Sequence, residues 1–232
     1  MVDLRLSHTR GKARDHRFVE RVFTPREITH IARSADPDRA LWICWAGKEA
    51  AFKIARQLDQ RAIFAHAAYE VTPTMCTPAG DTPPSIQCAH GHVQLRGVRE
   101  LDDVRFALQW VVTTDFVHCI AVDGGTEADP IWARVATLEE LHRGSDPSTF
   151  SARERESARS VESRAVRHLA RLLAHEIGIG TAEIVRAAAE TAFAPPRLYR
   201  AGAAEPLHGW GVSLSHDGGF AAAALCRTAS GA

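Results

Sequence analysis

Between Phe18 and Gln60 apolar residues recur at helical spacing, which gives a helix one buried stripe. Inside this stretch Thr24 is followed by Pro25 and Glu27, an N-cap, a first-turn proline and an acid at the third helical position that together mark a helix start. A second helix carries Trp45, Glu49 and Lys53 at i, i+4 and i+8 along one edge. From Val71 to Pro84 the chain is rich in Thr, Pro and Gly and reads as a loop. Alternating runs then predict strands in SIQCAHGHVQL, RFALQWVVT and DFVHCIAV.

Residues 126–149 are mixed and read as a connector. The segment RERESARSVESRAVRHLARLLAHEIG predicts one long helix, with Val161, Ala165, Leu169, Leu172 and Leu173 on its apolar side and Gly178 as its stop. A shorter helix is expected in TAEIVRAAAE, and Asp217-Gly218-Gly219 between apolar runs predicts a terminal hairpin. Both halves run from helix through a breaker-rich stretch to a strand hairpin, so the expected architecture is α+β with two pseudo-symmetric lobes, each a helix packed on a small antiparallel sheet. The expected boundaries are 1–125 for the N-terminal lobe, 126–149 for the connector and 150–232 for the C-terminal lobe.

Twenty-eight Lys plus Arg balance twenty-eight Asp plus Glu, so no global field attracts a polyanion and a dedicated nucleic-acid binder is not expected. No apolar run approaches the roughly 18 residues of a membrane span, and the first twenty residues lack the apolar stretch of a secretory signal. Five cysteines without a C-x-x-C read as reduced thiols, and the expected location is cytoplasmic.

Four features carry candidate chemistry. WAGKEAAFK sets a carboxylate, Glu49, beside Lys53 on one helix edge, with Lys48 adjacent; taken alone this is a surface ion pair, but Trp42, Trp45 and Phe52 argue for a packed helix. GVSLSHDGG ends a strand with Ser215 and His216 beside a Gly-rich turn, where a hairpin tip can donate hydrogen bonds to phosphate oxygens. Asp3, in VDL, is an isolated early acid. Cys76, Cys88, His90 and His92 include a C-x-H-x-H run with three donors on one strand face, yet no second paired knuckle completes a zinc site.

Together, RFVERVFTPRE, WAGKEAAFK and GVSLSHDGG resemble the 4'-phosphopantetheinyl transferase superfamily of holo-acyl-carrier-protein synthases and surfactin-type transferases. Phe23, Thr24 and Glu27 fit that family's F-(S/T)-x-x-E segment, and Trp45, Lys48, Glu49, Ala50 and Lys53 fit its W-x-x-K-E-A-x-x-K. The resemblance implies a transferase that moves the 4'-phosphopantetheine arm of coenzyme A to a serine of an acyl or peptidyl carrier protein with Mg²⁺. It implies Glu49 as metal ligand and base for the carrier serine, Lys53 as a catalytic cation, and Lys48, Lys53, Ser215, His216, Arg164 and Arg167 as contacts of the coenzyme. The order of segments resembles the small trimeric synthases at about twice their length, so a monomer holding both lobes is expected.

The family's G-x-D is not intact, since the sequence reads Met1-Val2-Asp3-Leu4-Arg5. Asp3 is then either the second acid of a G-N-D-x-V-D-L opening, with the first metal ligand ahead of Met1, or the first ligand itself, with Arg5 in place of the second acid. A non-catalytic coenzyme A or carrier-protein binding module on the same fold is the alternative reading. Arg14, Arg17 and Arg21 are candidates for docking an acidic carrier protein.

Overall fold

The structure is a computed structural model that describes residues 1–75, 87–98, 101–123, 130–144, 146–186 and 195–227. Cys76, the rest of the expected loop to Pro84, and residues 85–86 lie outside the described residues. The chain divides into two compact units, Met1–Gly125 and Thr126–Ala232.

In the first unit, strands β1 (Val2–Asp3), β2 (Tyr69–Met75), β3 (Gln87–Leu95), β4 (Arg105–Val112) and β5 (Phe116–Asp123) form one antiparallel sheet in the order β1-β5-β4-β3-β2. Helices α1 (His16–Val22), α2 (Pro25–Arg33) and α3 (Pro37–Leu58) complete it. Strand β2 occupies the start of the segment expected to be a loop. Its Pro73 is tolerated because β2 is an edge strand, where a missing N–H leaves no ladder bond unmade.

Helix α3 starts at Asp36, whose carboxylate accepts from the Arg39 N–H at 3.1 Å, and at Pro37. It lies close on the sheet at Gly47, where a Cβ would come within 3.0 Å of Trp110 and 3.1 Å of Leu108 and Val71. Trp110 locks the contact by donating its indole N–H to the carbonyl of Ile43 at 3.0 Å.

The capping box predicted at α2 is present, and it does more than cap. The Glu27 carboxylate accepts from the N–H of Thr24 and of Val71, each at 2.8 Å, and from Lys48 Nζ at 2.8 Å. One buried acid therefore ties α2, α3 and β2 together.

The second unit contains β6 (Ile131–Thr137), α4 (Leu138–Gly144), α5 (Ala152–Ser157), α6 (Val161–Glu176), β7 (Ala182–Arg186), β8 (Pro196–Arg200), β9 (Trp210–Asp217) and β10 (Phe220–Arg227). Strands β6, β10 and β9 form an antiparallel sheet against which α6 packs, and β7 pairs with β8. Residues read as connector thus supply a sheet strand, β6. The single long helix expected from 153 to 178 is two helices, because Ser160 accepts from the Ser163 N–H and starts α6 anew. Of the predicted apolar stripe Ala165, Leu169 and Leu173 are buried, whereas Val161 and Leu172 are exposed.

Of the helix expected at 181–190, residues 187–190 lie outside the described residues and Ala182–Arg186 is a strand, where pairing with β8 overrides helical propensity. The predicted hairpin joins β9 to β10 with Gly218 at φ 52°, the left-handed region that glycine enters without steric cost.

A second capping box opens α5. Glu154 accepts from the N–H of Ser151 at 3.2 Å and from the N–H of Ile184 at 3.0 Å, and Arg171 stands 3.7 Å from the same carboxylate.

Candidate active site

Helix α3 presents Glu49 and Lys53 half-buried on one edge, as the four-residue spacing requires. Trp45, one turn before Glu49, stacks on His66 with ring centres 5.2 Å apart, and Phe52 stacks on Phe64 at 4.8 Å. This aromatic wall explains why an edge bearing two charges belongs to a packed helix.

The carboxylate of Glu49 lies 4.0 Å from the α-amino nitrogen of Met1. The backbone immediately ahead of β1 therefore approaches the acid of the K-E-A motif. Nearby, His118 on β5 is buried and neither ring nitrogen has a hydrogen-bond partner among the described residues. Burial above all, with the positive charges of the α-amino group and Lys53, pushes its imidazole down to about 3. A neutral histidine, a lysine and a carboxylate thus share one neighbourhood, and His118 was not foreseen from the sequence because nothing local distinguishes it from its strand neighbours.

Lys48 needs correction as a coenzyme contact. It has no exposed surface, and its ammonium donates to Glu27 at 2.8 Å, to the His66 carbonyl at 3.0 Å and to the Tyr69 carbonyl at 2.6 Å. Three donors meet three acceptors, and none remains for a ligand. Burial lowers its pKa while Glu27 opposes the shift.

Asp3 is clamped by Arg5. It is buried, and Arg5 grips it through the backbone N–H and Nε to one oxygen, each at 3.0 Å, and through Nη2 to the other at 2.9 Å. A guanidinium fork occupies both carboxylate oxygens. Among the described residues no group of three or more His, Cys, Asp or Glu side chains could hold a metal ion. Mg²⁺ takes one or two protein carboxylates together with phosphate oxygens; of the two acids the motif comparison offers, Glu49 is half-exposed and both oxygens of Asp3 are engaged by Arg5.

A family model described as the 4'-phosphopantetheinyl transferase superfamily matches residues 2–74. This segment is a 4'-phosphopantetheinyl transferase superfamily domain. Among curated proteins and solved structures, none matches the chain. The superfamily domain contains Asp3, the Thr24–Glu27 box, Lys48, Glu49 and Lys53. Ser215 and His216 lie beyond it.

In the second unit Ser215 is half-buried and His216 exposed at the end of β9, opposite Ala222 and Ala221 of β10. Glu162, in the first turn of α6, has its carboxyl lowered by a backbone hydrogen bond, then by Ser160, with a smaller contribution from the charge of His216. Arg164 is half-buried and donates to the carbonyls of Ala158 and Arg159, both at 3.4 Å. Arg167 is a second correction. It is 2% exposed and donates to the carbonyls of Ile184, Ser163 and Ser157, so it holds α5, α6 and β7 in place and is not available to a phosphate.

Proposed function

We propose that this protein transfers the 4'-phosphopantetheine arm of coenzyme A to a serine of an acyl or peptidyl carrier protein. In this reading the serine oxygen attacks the pyrophosphate phosphorus that carries the pantetheine. The phosphorus–oxygen bond to the second phosphate breaks, adenosine 3',5'-bisphosphate leaves, and Glu49 takes the serine proton. Lys53 faces the charge that grows on the phosphoryl oxygens. Ser215, His216 and Arg164 are proposed contacts of the coenzyme's phosphates, and Arg14, Arg17 and Arg21 a docking face for an acidic carrier. A monomer in the cytoplasm is the proposed state; among the described residues no helix is long and apolar enough to cross a membrane.

The observation that carries the proposal is the partition inside WAGKEAAFK: within the superfamily domain, Lys48 is wholly buried and saturated, while Glu49 is left half-exposed with the backbone ahead of β1 at 4.0 Å. That approach favours the reading of Asp3 as the second acid, with the position preceding Met1 facing Glu49. The Asp3–Arg5 clamp is the observation that favours the alternative, a coenzyme A or carrier-protein binding module without transfer. Incubating the protein with coenzyme A, Mg²⁺ and apo carrier proteins, then weighing the carriers by mass spectrometry, separates the two. A carrier gaining one phosphopantetheine supports transfer; coenzyme binding without mass gain leaves the binding module.

A further inference from the structure

Helix α2, the start of α3 and strands β2 and β3 surround a groove of about 620 Å³, the size of a small-molecule site. Its lining differs from the apolar lining usual for such sites. Arg26, His30 and Arg33 stand at i, i+4 and i+7 on one face of α2, and Arg39 of α3 joins them. The carboxylate in the lining is Asp36, already used to cap α3 through the Arg39 N–H. Arg26 reaches Glu70 at 3.5 Å while itself 81% exposed, a pairing of little strength. Arg33 has no ion pair among the described residues.

Arg39 is the most telling member. One of its Nη atoms donates to the Thr113 carbonyl at 3.1 Å, which fixes the guanidinium, yet its Nε is buried without an acceptor among the described residues. An unmet buried donor is costly, and in a native site it points to a missing partner. Three guanidinium groups against one engaged carboxylate, in a concave site, call for a compact anion with several acceptor oxygens and more than one negative charge. Planar guanidinium forks match phosphate oxygens in pairs. The groove also lies apart from the Glu49 edge: Arg39 and Glu49 are ten residues apart on α3, roughly 15 Å along its axis, and Glu49 is not in the groove lining.

We propose that this groove is a second anion site that binds the phosphate groups of a small molecule, with Arg33 and Arg39 as its principal donors. The proposal stands independently of the transfer reaction. Its test is calorimetric titration of the full chain with inorganic pyrophosphate and, in parallel, with ADP, followed by mapping of amide chemical shifts. Saturable binding by about 1 mM ligand is expected, with shift changes concentrated in residues 26–43. Comparable affinities for both ligands would identify the phosphates as the determinant, and preference for ADP would identify a nucleotide.

Arg33→Glu, at an exposed position that cannot unsettle the core, is expected to weaken binding at least about ten-fold, as loss of a charge-assisted contact does. Arg39→Lys, which keeps charge but loses the fork, should weaken it less. Arg143→Glu, the same charge reversal at an exposed position in the second unit, should leave it unchanged. Absence of saturable binding, binding indifferent to Arg33→Glu, or binding of polyglutamate without binding of pyrophosphate would each overturn the proposal.

Discussion

The two units contain the same device with different consequences. Phe23-Thr24-Pro25-Arg26-Glu27 and Phe150-Ser151-Ala152-Arg153-Glu154 each follow a buried phenylalanine with a capping box whose glutamate is buried. In both, one carboxylate oxygen takes the cap N–H and faces a cation on the longer helix, Lys48 or Arg171; the other takes a strand N–H, from Val71 or Ile184. Each strand residue follows a glutamate, Glu70 or Glu183, that pairs with Arg26 or Arg153.

The next helical position separates the units. After Lys48 comes Glu49, and after Arg171 comes Leu172, 40% exposed. A clamp present in both units is architecture, and the acid found beside only one of them is the candidate for chemistry. Much of what looks like an active-site motif in WAGKEAAFK is therefore the means of joining a helix to a sheet.

The sharpest way to break the comparison is to remove the clamp cations. Lys48→Met leaves Glu27 buried and uncompensated, and a loss of about 3–5 kcal/mol is expected in urea denaturation. Arg171→Met should cost clearly less, because its contact is 3.7 Å and its side chain is 19% exposed. Equal losses would mean that the clamps are equivalent in energy as well as in form.

Glu49→Gln should lower carrier modification at least about 100-fold with an unchanged denaturation midpoint, while its counterpart Leu172→Ala changes neither appreciably. A Glu49→Gln protein that still modifies a carrier at the parent rate removes this acid from the proposed chemistry.

Extending the chain by Gly-Asn-Asp ahead of Met1 sets a second carboxylate beside Glu49. Even outer partners of metal ligands are worth 10–100-fold in affinity, so Mg²⁺ affinity, read by calorimetry, should rise at least about ten-fold. No gain would favour Asp3 as the first acid of the domain.

A pH-dependent effect concerns His118. Burial holds its pKa at about 3 in the fold, while the unfolded chain titrates near 6.5. Between those values the unfolded state binds more protons, so the stability contributed by a neutral His118 is full above about pH 6.5 and falls as pH drops, by about 1.4 kcal/mol per unit. His118→Phe should flatten the pH dependence of the denaturation midpoint between pH 6 and pH 4 to that extent.

Local chemistry was legible. Thr24, Pro25 and Glu27 announced α2 because a capping box is complete within four residues, and the β9–β10 hairpin was readable from its turn. The second box, Ser151 to Glu154, carries the same signal at the head of a stretch whose spacing predicts one long helix, because amphipathic spacing continues across Ser160. The strand at Ala182–Arg186 was not legible, because its conformation is set by β8, whose partner residues lie ten to eighteen positions away.

The sequence by itself determined where α2 begins, where the β9–β10 hairpin turns, and that an acid and two lysines of a known motif stand on one helix. Only the tertiary structure decided that Lys48 is core and Glu49 is surface. Neighbours on a helix point about 100° apart, and which direction meets protein depends on the strand and helix packed against it. Likewise Asp3 and Arg167 carry charges that the sequence offers to a ligand, yet each charge is already met, one by Arg5 and the other by backbone carbonyls. Burial makes those bonds obligatory, and burial is a property of the fold.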